Sequence, residues 1–402
     1  MLPEHDVITG FPEELARLGP QPDFPALGDI QNLLSGTPTL FSHSADLICH
    51  THTTTPETLE LLRRAGHPTP RSCRTFTTAD EHRALVSQAV ARGERVAAQF
   101  NLPDPPTGPG RFVPDLALMG ALCDKGRLAE WVPAPFIPRR TLVPAAEFHG
   151  ECTSSWVAKA ATTRPNGGGL DVLLHHHQGP SHPIPSLATA DGELLVVEEL
   201  LDIRTSWGIQ FSVPPASPPI LLGSTLLLTD GEGTYQGSVL GADRPPNPLV
   251  RAARETAAAA QRRGFCGYCG IDCAVTTDNR LLIYDVNFRI TQATPLVTVP
   301  ARAPLGLIGT WIAAEPDVLL STAHSWLEQH RLTPVTAYMP PSGPSSLTAV
   351  LWAESADMLT GKAAELTHTL LPPGSDAWNL LPAHVRPEGD PHTREECHPA
   401  NL

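Results

Sequence analysis

The stretch GIDCAVTTDNRLLIYDVNFR, residues 270–289, contains two apolar runs separated by Asp278 and Asn279. Both of these residues tolerate left-handed backbone, so the pattern predicts a β-hairpin with a two-residue turn. Counting outward from that turn along both strands brings Asp272 directly opposite Asp285. The sequence therefore predicts two carboxylates that face each other across a narrow ribbon of sheet.

Two facing carboxylates need a positive partner, because like charges directly opposite each other in a sheet are destabilising. Mg²⁺ is usually held by one or two carboxylates together with substrate phosphates. Side chains alternate along a strand, so Asn287 lies on the same face as Asp285. The hairpin predicts a magnesium site made by Asp272, Asp285 and Asn287. A splayed hairpin that exposes the pair to solvent would also satisfy the sequence.

Lysine is rare in this chain. Three of the 28 basic residues are lysines, at positions 125, 159 and 362. Lys159 lies on an apolar run, expected to be a strand, just before a glycine-rich tip. The tip consists of Asn166, Gly167, Gly168 and Gly169. A bare backbone tip can close over phosphate oxygens, and a nearby lysine supplies a point charge. A snorkelling lysine beside an ordinary turn is the alternative.

Residues 194–203, LLVVEELLDI, form an apolar run that becomes acidic. A strand leading into a hinge can offer backbone groups to adenine, with Glu198 accepting a hydrogen bond from the amino group. The other interpretation is a strand that emerges into solvent.

The rest of the chain predicts a mixture of sheet types. Alternating strands and helices over about 46–103 indicate a small α/β domain with a parallel sheet. Antiparallel strands are expected at 154–161, 170–175 and 194–201. Residues 247–263 predict a helix with Asn247 as its N-cap. Two further helices are expected near 318–331 and 355–366.

Composition restricts the possible partners and location. The formal net charge of −14 argues against nucleic acid and anionic membranes as partners. The N-terminus lacks the pattern of a signal peptide, and no apolar run reaches 18 residues. Eight irregularly spaced cysteines fit reduced thiols in a cytoplasm.

In order and spacing, these segments resemble the ATP-grasp superfamily. The matching elements are a first lysine at 125, a second on a strand at 159, the glycine tip, the acidic hinge and the closing acid-x-Asn-x-Arg strand that ends at Arg289. The resemblance implies an ATP-grasp fold of mixed α+β and α/β class. The implied domains are an N-terminal α/β domain (1–133), a small ATP-grasp subdomain (134–210), a large one with the metal site (211–300) and a C-terminal α/β extension (301–402).

The resemblance also implies roles for individual residues. Lys125 and Lys159 would contact the phosphates or the adenine edge of ATP, under the glycine tip. The adenine and ribose would be read by Glu198, Glu199, Leu200 and Asp202. Two Mg²⁺ ions would be held by Asp272, Asp285 and Asn287. Arg289 would be the catalytic residue that stabilises an acyl phosphate and a tetrahedral intermediate.

The implied activity is ATP-dependent ligation of a carboxylate to an amine, with ADP and phosphate as products. The substrates would be small molecules such as amino acids or peptides, and a homodimer is the expected assembly. The layout is similar to that of peptide ligases in actinobacterial natural-product pathways, such as the ligase of pheganomycin biosynthesis, which implies a role in antibiotic biosynthesis.

Two alternatives remain open. Asp285 stands where the superfamily usually has Glu, so one alternative is an ATP-binding relative without ligase activity. The pair Ile209-Gln210 resembles the corresponding residues of carboxylases of the superfamily. The second alternative is therefore carboxylation or kinase-like phosphate transfer.

Overall fold

The computed structural model describes residues 2, 4–13, 15–16, 18, 27–43, 45–148, 154–165, 171–177, 194–229 and 235–370. These residues form three sheets that follow one another along the chain. Over this described part, no helix combines the length and apolar character needed to cross a bilayer.

The first sheet is parallel and has five strands, in the order β3-β2-β1-β4-β5. Its strands are β1 (Val7–Thr9), β2 (Asp46–His50), β3 (Ser72–Phe76), β4 (Arg95–Ala98) and β5 (Arg111–Phe112). Its connecting and flanking helices are α1 (Leu27–Gly36), α2 (Pro56–Arg64), α3 (Ala79–Ala91) and α4 (Leu116–Cys123). The strand order reverses between β1 and β4, and ligands of open parallel sheets bind at the carboxyl ends of strands beside such a reversal.

The second sheet has four antiparallel strands in the order β6-β9-β7-β8. They are β6 (Arg140–Pro144), β7 (Trp156–Ala161), β8 (Val172–His175) and β9 (Leu194–Glu199). β7 and β9 are the central strands, so the second lysine and the start of the acidic hinge lie side by side on neighbouring strands.

The third sheet has eight antiparallel strands in the order β14-β13-β10-β11-β12-β15-β17-β16. Its first five strands are β10 (Ile203–Val213), β11 (Ile220–Thr229), β12 (Tyr235–Leu240), β13 (Gly267–Thr276) and β14 (Leu281–Asn287). The last three are β15 (Leu305–Ala313), β16 (Leu332–Tyr338) and β17 (Ser345–Ala353). The sequence analysis placed subdomain boundaries after residues 210 and 300. β10 includes residue 210, and β15–β17 continue the same sheet beyond residue 300, so the sheet does not change at either boundary.

Four helices belong to the third sheet. They are α5 (Asn247–Arg262), α6 (Ala293–Thr298), α7 (Pro316–Glu328) and α8 (Ala356–Leu370). The apolar stripe of α5 packs on β10 and β13, where Ile209 and Ile271 are fully buried. The predicted N-cap of α5 is wrong, because Asn247 is the first helical residue and Pro246 occupies the cap without a side-chain hydrogen bond.

The parallel sheet packs directly against the large antiparallel sheet. Ile8 and Leu47 share one buried cluster with Ile290, Ile308 and Trp352. At roughly 25 cal/mol per Å² of apolar surface buried, such an interface holds the two sheets in a defined relation. The carboxyl end of β4 is therefore held close to the chain that follows β14.

Candidate active site

The hairpin β13–β14 has the predicted register at the two aspartates, but a different turn. Asp272 is paired with Asp285. The turn contains three residues instead of two, because the N–H of Asn279 donates to Thr276 O (2.9 Å) and Asn279 has a left-handed φ of 65°. A type I turn followed by a left-handed residue is the usual three-residue hairpin loop.

A β-bulge restores the register that the longer turn would shift. The pairing passes from Cys273–Ile283 to Asp272–Asp285, so Tyr284 is the extra residue on its strand. Its carbonyl oxygen accepts a hydrogen bond from the ammonium of Lys159 at 2.7 Å. The bulge therefore places the aspartates opposite each other and gives the second lysine a backbone partner.

The metal-ligand candidates form one cluster on the face of β13–β14 turned away from α5. Asn287 Nδ2 donates to Asp272 Oδ2 (3.2 Å) and to Asp285 Oδ2 (3.3 Å). Arg289 Nη1 donates to Asn287 Oδ1 at 2.6 Å. The structure thus brings Asp272, predicted from the hairpin register, together with the three residues of the closing motif.

The two carboxylates titrate differently. Burial, and then the charge of Asp285, raise the pKa of Asp272 to about 7. Burial also favours a higher pKa for Asp285, but Lys125, Lys159 and Arg289 outweigh it, so the pKa of Asp285 is lowered. One anionic and one easily protonated carboxylate is the arrangement expected for two acids that share a site without a metal cation.

These side chains fit Mg²⁺ better than a fully protein-bound metal. Within the described ranges, no group of three or more His, Cys, Asp or Glu side chains could hold an ion. Two carboxylates and one amide supply hard oxygen ligands but leave positions open, which is how Mg²⁺ is bound together with substrate phosphates.

The first predicted lysine reaches the same cluster. Asp124 starts the short 3₁₀ turn Lys125–Glu130 by accepting from the Gly126 N–H (2.8 Å). From there the Lys125 ammonium lies 2.9 Å from Asp171 Oδ2 and 3.5 Å from Asp285 Oδ1. Burial opposes the charged lysine, but these two carboxylates raise the pKa of Lys125 above its ordinary value.

Lys159 lies on β7 with its ammonium 2.6 Å from Glu198 Oε2. The other carboxylate oxygen of Glu198 has no hydrogen-bond partner and is 3.5 Å from Nη1 of Arg140, which is also without one. Arg140 and Glu198 are paired across β6 and β9. A buried acceptor and a buried donor therefore lie beside the two lysines, ready for a polar ligand.

A small, partly open pocket connects these groups. It is lined by Leu122, Cys123, Asp124, Lys125, Leu128, Arg140, Lys159, Glu198, Tyr284, Asp285 and Val286. Its lining combines three cations (Lys125, Arg140 and Lys159) with three carboxylates (Asp124, Glu198 and Asp285), so the pocket suits a polar, charged ligand that can bind alongside a metal cation.

The remaining predicted residues lie elsewhere. Glu199 pairs with Arg280 (2.7 Å) and Arg139 (2.9 Å), and these partners outweigh burial to lower its pKa to about 2. Leu200 follows β9 and is half-buried. Asp202 is exposed and accepts a hydrogen bond from the hydroxyl of Thr277, so its carboxylate is at the hairpin turn, away from Asp272. Asn166, Gly167, Gly168 and Gly169 fall outside the described residues.

The N-terminal sheet contributes to the site through three consecutive residues after β4. Gln99 Oε1 accepts from the N–H of Ile290 (3.0 Å), and the Phe100 ring lies 5.3 Å from the guanidinium carbon of Arg289. Asn101 Nδ2 donates to Thr163 O (3.0 Å). This strand end contacts both the chain around Arg289 and the segment leading to the glycine tip.

The sequence interpretation missed Arg140, Asp171 and Phe100. Each lies far in sequence from the residues it contacts, and none belongs to a motif that predicts the contact. For Asp171 one signal was available, because it is an acid two residues after the glycine tip.

Gln210 was the basis of the carboxylase alternative. It is buried, and its Oε1 accepts from the hydroxyls of Thr291 (3.1 Å) and Thr294 (3.0 Å). Its amide oxygen is therefore used in the core beside α6.

Two family models match the chain. Residues 138–287 match the ATP-grasp domain of L-aspartate–L-methionine ligase, and residues 19–119 match the N-terminal domain of the same ligase. The two matched ranges contain both central strands of the small sheet, the hairpin and most of the N-terminal sheet.

Solved structures share the fold at low sequence identity. An N5-carboxyaminoimidazole ribonucleotide synthetase in complex with ADP has a TM-score of 0.58 and 11% identity, over 91% of this chain and 97% of its own. The corresponding synthase from Aspergillus clavatus, complexed with ATP, has a TM-score of 0.53 and 11% identity, over 82% and 98%. A biotin carboxylase from Campylobacter jejuni has a TM-score of 0.53 and 12% identity, over 92% of both chains.

The family matches, the shared fold and the clustered motif residues agree. ATP is accordingly the nucleotide that this protein uses. The chain belongs to the ATP-grasp superfamily, and within it to the ATP-dependent ligases that join a carboxylate to an amine.

Proposed function

We propose that this ligase joins two amino acids, with aspartate as the carboxylate donor and methionine as the amine acceptor. The family matches support this substrate pair. The proposed chemistry is supported by one observation, the cluster of Asp272, Asp285, Asn287 and Arg289 beside a pocket that Lys125 and Lys159 line.

Asp272, Asp285 and Asn287 would hold two Mg²⁺ ions. Bound there, Mg²⁺ would neutralise the charge that develops on the transferred phosphoryl group. Lys125 and Lys159, which approach from the small sheet, would bind phosphate oxygens as point charges.

The reaction has two balanced steps. A carboxylate oxygen of the first amino acid attacks the γ-phosphorus, and the bond to ADP breaks. The amine of the second amino acid then attacks the acyl carbon, and phosphate leaves with the oxygen that had attacked, while the amine loses its proton. Arg289 would stabilise the negative charge on the acyl phosphate and on the tetrahedral intermediate.

The adenosine end of ATP would extend along the hinge. Glu198 and the backbone at Glu199 and Leu200 would read adenine, and Asp202 would approach the ribose. Asn166, Gly167, Gly168 and Gly169 would cover the phosphates. The Glu198 oxygen that makes no hydrogen bond and lies 3.5 Å from the Arg140 guanidinium supports this placement, because it can accept from the amino group of adenine.

A cytoplasmic location is also proposed, supported by six cysteines of the described chain that are free thiols. A place in natural-product biosynthesis and a homodimeric assembly stay predictions. Neighbouring genes would test the first, and light scattering of the purified protein the second.

The experiment for the proposed activity is a substrate panel. Purified protein with Mg²⁺ and ATP is given each amino acid singly and in pairs, and both ADP and the products are measured. We expect ADP release to require two amino acids, and mass spectrometry to find an aspartyl-methionine dipeptide. ADP release that requires a different pair of amino acids would contradict the substrate assignment, but the ligase activity itself would stand. Bicarbonate-dependent release without an amine would contradict the amide-forming reaction.

A further inference from the structure

Lys125 lies between two carboxylates that belong to different sheets. Its ammonium is 2.9 Å from Asp171, just before β8, and 3.5 Å from Asp285 on β14. The Asp171 side chain is only 2% exposed, whereas that of Asp285 is 21% exposed. The closer partner is therefore also the more deeply buried one.

Asp171 and the backbone of Lys125 are both held in place. The carbonyl of Asp171 accepts from the N–H of Ala160, the residue after Lys159 on β7 (3.0 Å). The carbonyl of Lys125 accepts a hydrogen bond from the guanidinium of Arg140. With both backbones anchored, the flexible lysine side chain can change its position by moving between the two carboxylates.

The two positions have opposite consequences for a metal ion. An ammonium in contact with Asp285 occupies and neutralises a carboxylate that Mg²⁺ requires. An ammonium drawn closer to Asp171, as at 2.9 Å against 3.5 Å here, weakens the contact with Asp285 and still lines the pocket where phosphates would bind. Opposite charges at about 4 Å in a partly buried site interact strongly enough for this choice to matter.

We infer that Asp171 is a positioning residue that draws the shared Lys125 ammonium toward itself, weakening its contact with Asp285 and so leaving that carboxylate more available to the divalent cation. This inference rests on the proposed role of Asp285 as a metal ligand. It assigns no contact between Asp171 and the metal or the substrate.

The test is equilibrium binding of Mn²⁺ in the presence of saturating ADP, followed by the electron paramagnetic resonance signal of the free ion. Asp171→Asn should weaken Mn²⁺ binding about tenfold, because Lys125 then turns to Asp285. In a Lys125→Met background, adding Asp171→Asn should leave the Mn²⁺ midpoint unchanged, because no ammonium is left to compete.

Asp46→Asn is the matched control. Like Asp171, Asp46 is a buried, ion-paired carboxylate, but its partners are arginines and it lies in the N-terminal sheet. It should leave Mn²⁺ binding unchanged. The inference is overturned if folded Asp171→Asn binds Mn²⁺ like the wild type, or if the loss is equally large without Lys125. If the wild type itself binds no Mn²⁺ with ADP, the metal assignment in the proposed function fails and this inference falls with it.

Discussion

Asp285 is the residue on which most charged groups of the site converge. It faces Asp272, contacts Asn287 and lies 3.5 Å from the Lys125 ammonium. Lys159 and Arg289 are also close enough to lower its pKa. Its position opposite Asp272 was predictable from the sequence, because the hairpin register and the closing motif both indicated it. Some of the cations around Asp285, such as Lys125, lie on segments distant from it in the chain.

We predict that Asp285→Ala lowers ligase turnover at least about 100-fold, because a metal ligand is lost. Steady-state ADP release measures the effect. Asp278→Ala, in the exposed turn of the same hairpin, is the control and should keep wild-type turnover. Undiminished turnover of Asp285→Ala would remove the metal assignment.

Phe100 gives a second prediction for a single side chain. Its ring lies under the Arg289 guanidinium, a contact worth about 0.5–2 kcal/mol. Phe100→Leu should lower kcat by roughly 3- to 10-fold and leave the KM for ATP unchanged, because Arg289 acts on the reacting groups. Phe100→Tyr keeps the ring and should behave like the wild type. A change in the KM for ATP alone would show that Phe100 does not act through Arg289.

The hairpin β13–β14 is the element that carries the metal-site candidates. Its sequence predicted the correct facing pair from an incorrect turn, because the extra turn residue and the bulge at Tyr284 cancel. Periodicity and turn residues give strand pairing, but bulges depend on tertiary contacts such as that between Lys159 and the Tyr284 carbonyl. β7, β8 and β9 of the small sheet were predictable for the same reason.

A backbone prediction belongs to this turn. Asn279 has a φ of 65°, a conformation that costs most residues roughly 1–2 kcal/mol. Asn279→Val should therefore lower the free energy of unfolding by about that amount relative to Asn279→Gly, as measured by urea denaturation. Both variants lose the hydrogen bond from Arg204, so their difference isolates the backbone effect. Equal stability of the two would contradict the turn conformation.

In the molecule as a whole, the site lies where three sheets meet. β7 and β9 supply Lys159 and Glu198, the hairpin supplies the carboxylates, and the end of β4 supplies Phe100. The sequence predicted the parallel and antiparallel regions, because each has its own local pattern. It could not predict Arg140, Asp171 or Phe100, whose roles come from packing between segments far apart in the chain.

Acid stability is a property of the whole fold, and His50 gives a prediction for it. His50 is 3% exposed at the end of β2, and burial, followed by the charge of His52, lowers its pKa to about 4. Below pH 6.5 the unfolded chain binds a proton that folded His50 does not, so its contribution to stability is lost as pH falls from 6.5 to 4. The loss approaches roughly 3 kcal/mol.

His50→Asn keeps an acceptor for the His52 N–H and removes the titrating ring. Urea denaturation at pH 7 and pH 5 should show a smaller decrease in the free energy of unfolding for this variant than for the wild type, by about 2 kcal/mol. Between pH 7 and 8 the difference between the two proteins should stay constant. An identical decrease in both proteins would show that His50 does not carry this part of the acid sensitivity.

The most direct test of the reaction is isotope transfer from the carboxylate to phosphate. The wild-type enzyme is given ATP, methionine and aspartate with ¹⁸O in its carboxylates, and the released phosphate is analysed by mass spectrometry. An acyl phosphate formed at the Asp272–Asp285 site predicts one ¹⁸O atom in each phosphate released with the dipeptide. Dipeptide formation that releases unlabelled phosphate would contradict carboxylate activation by phosphoryl transfer.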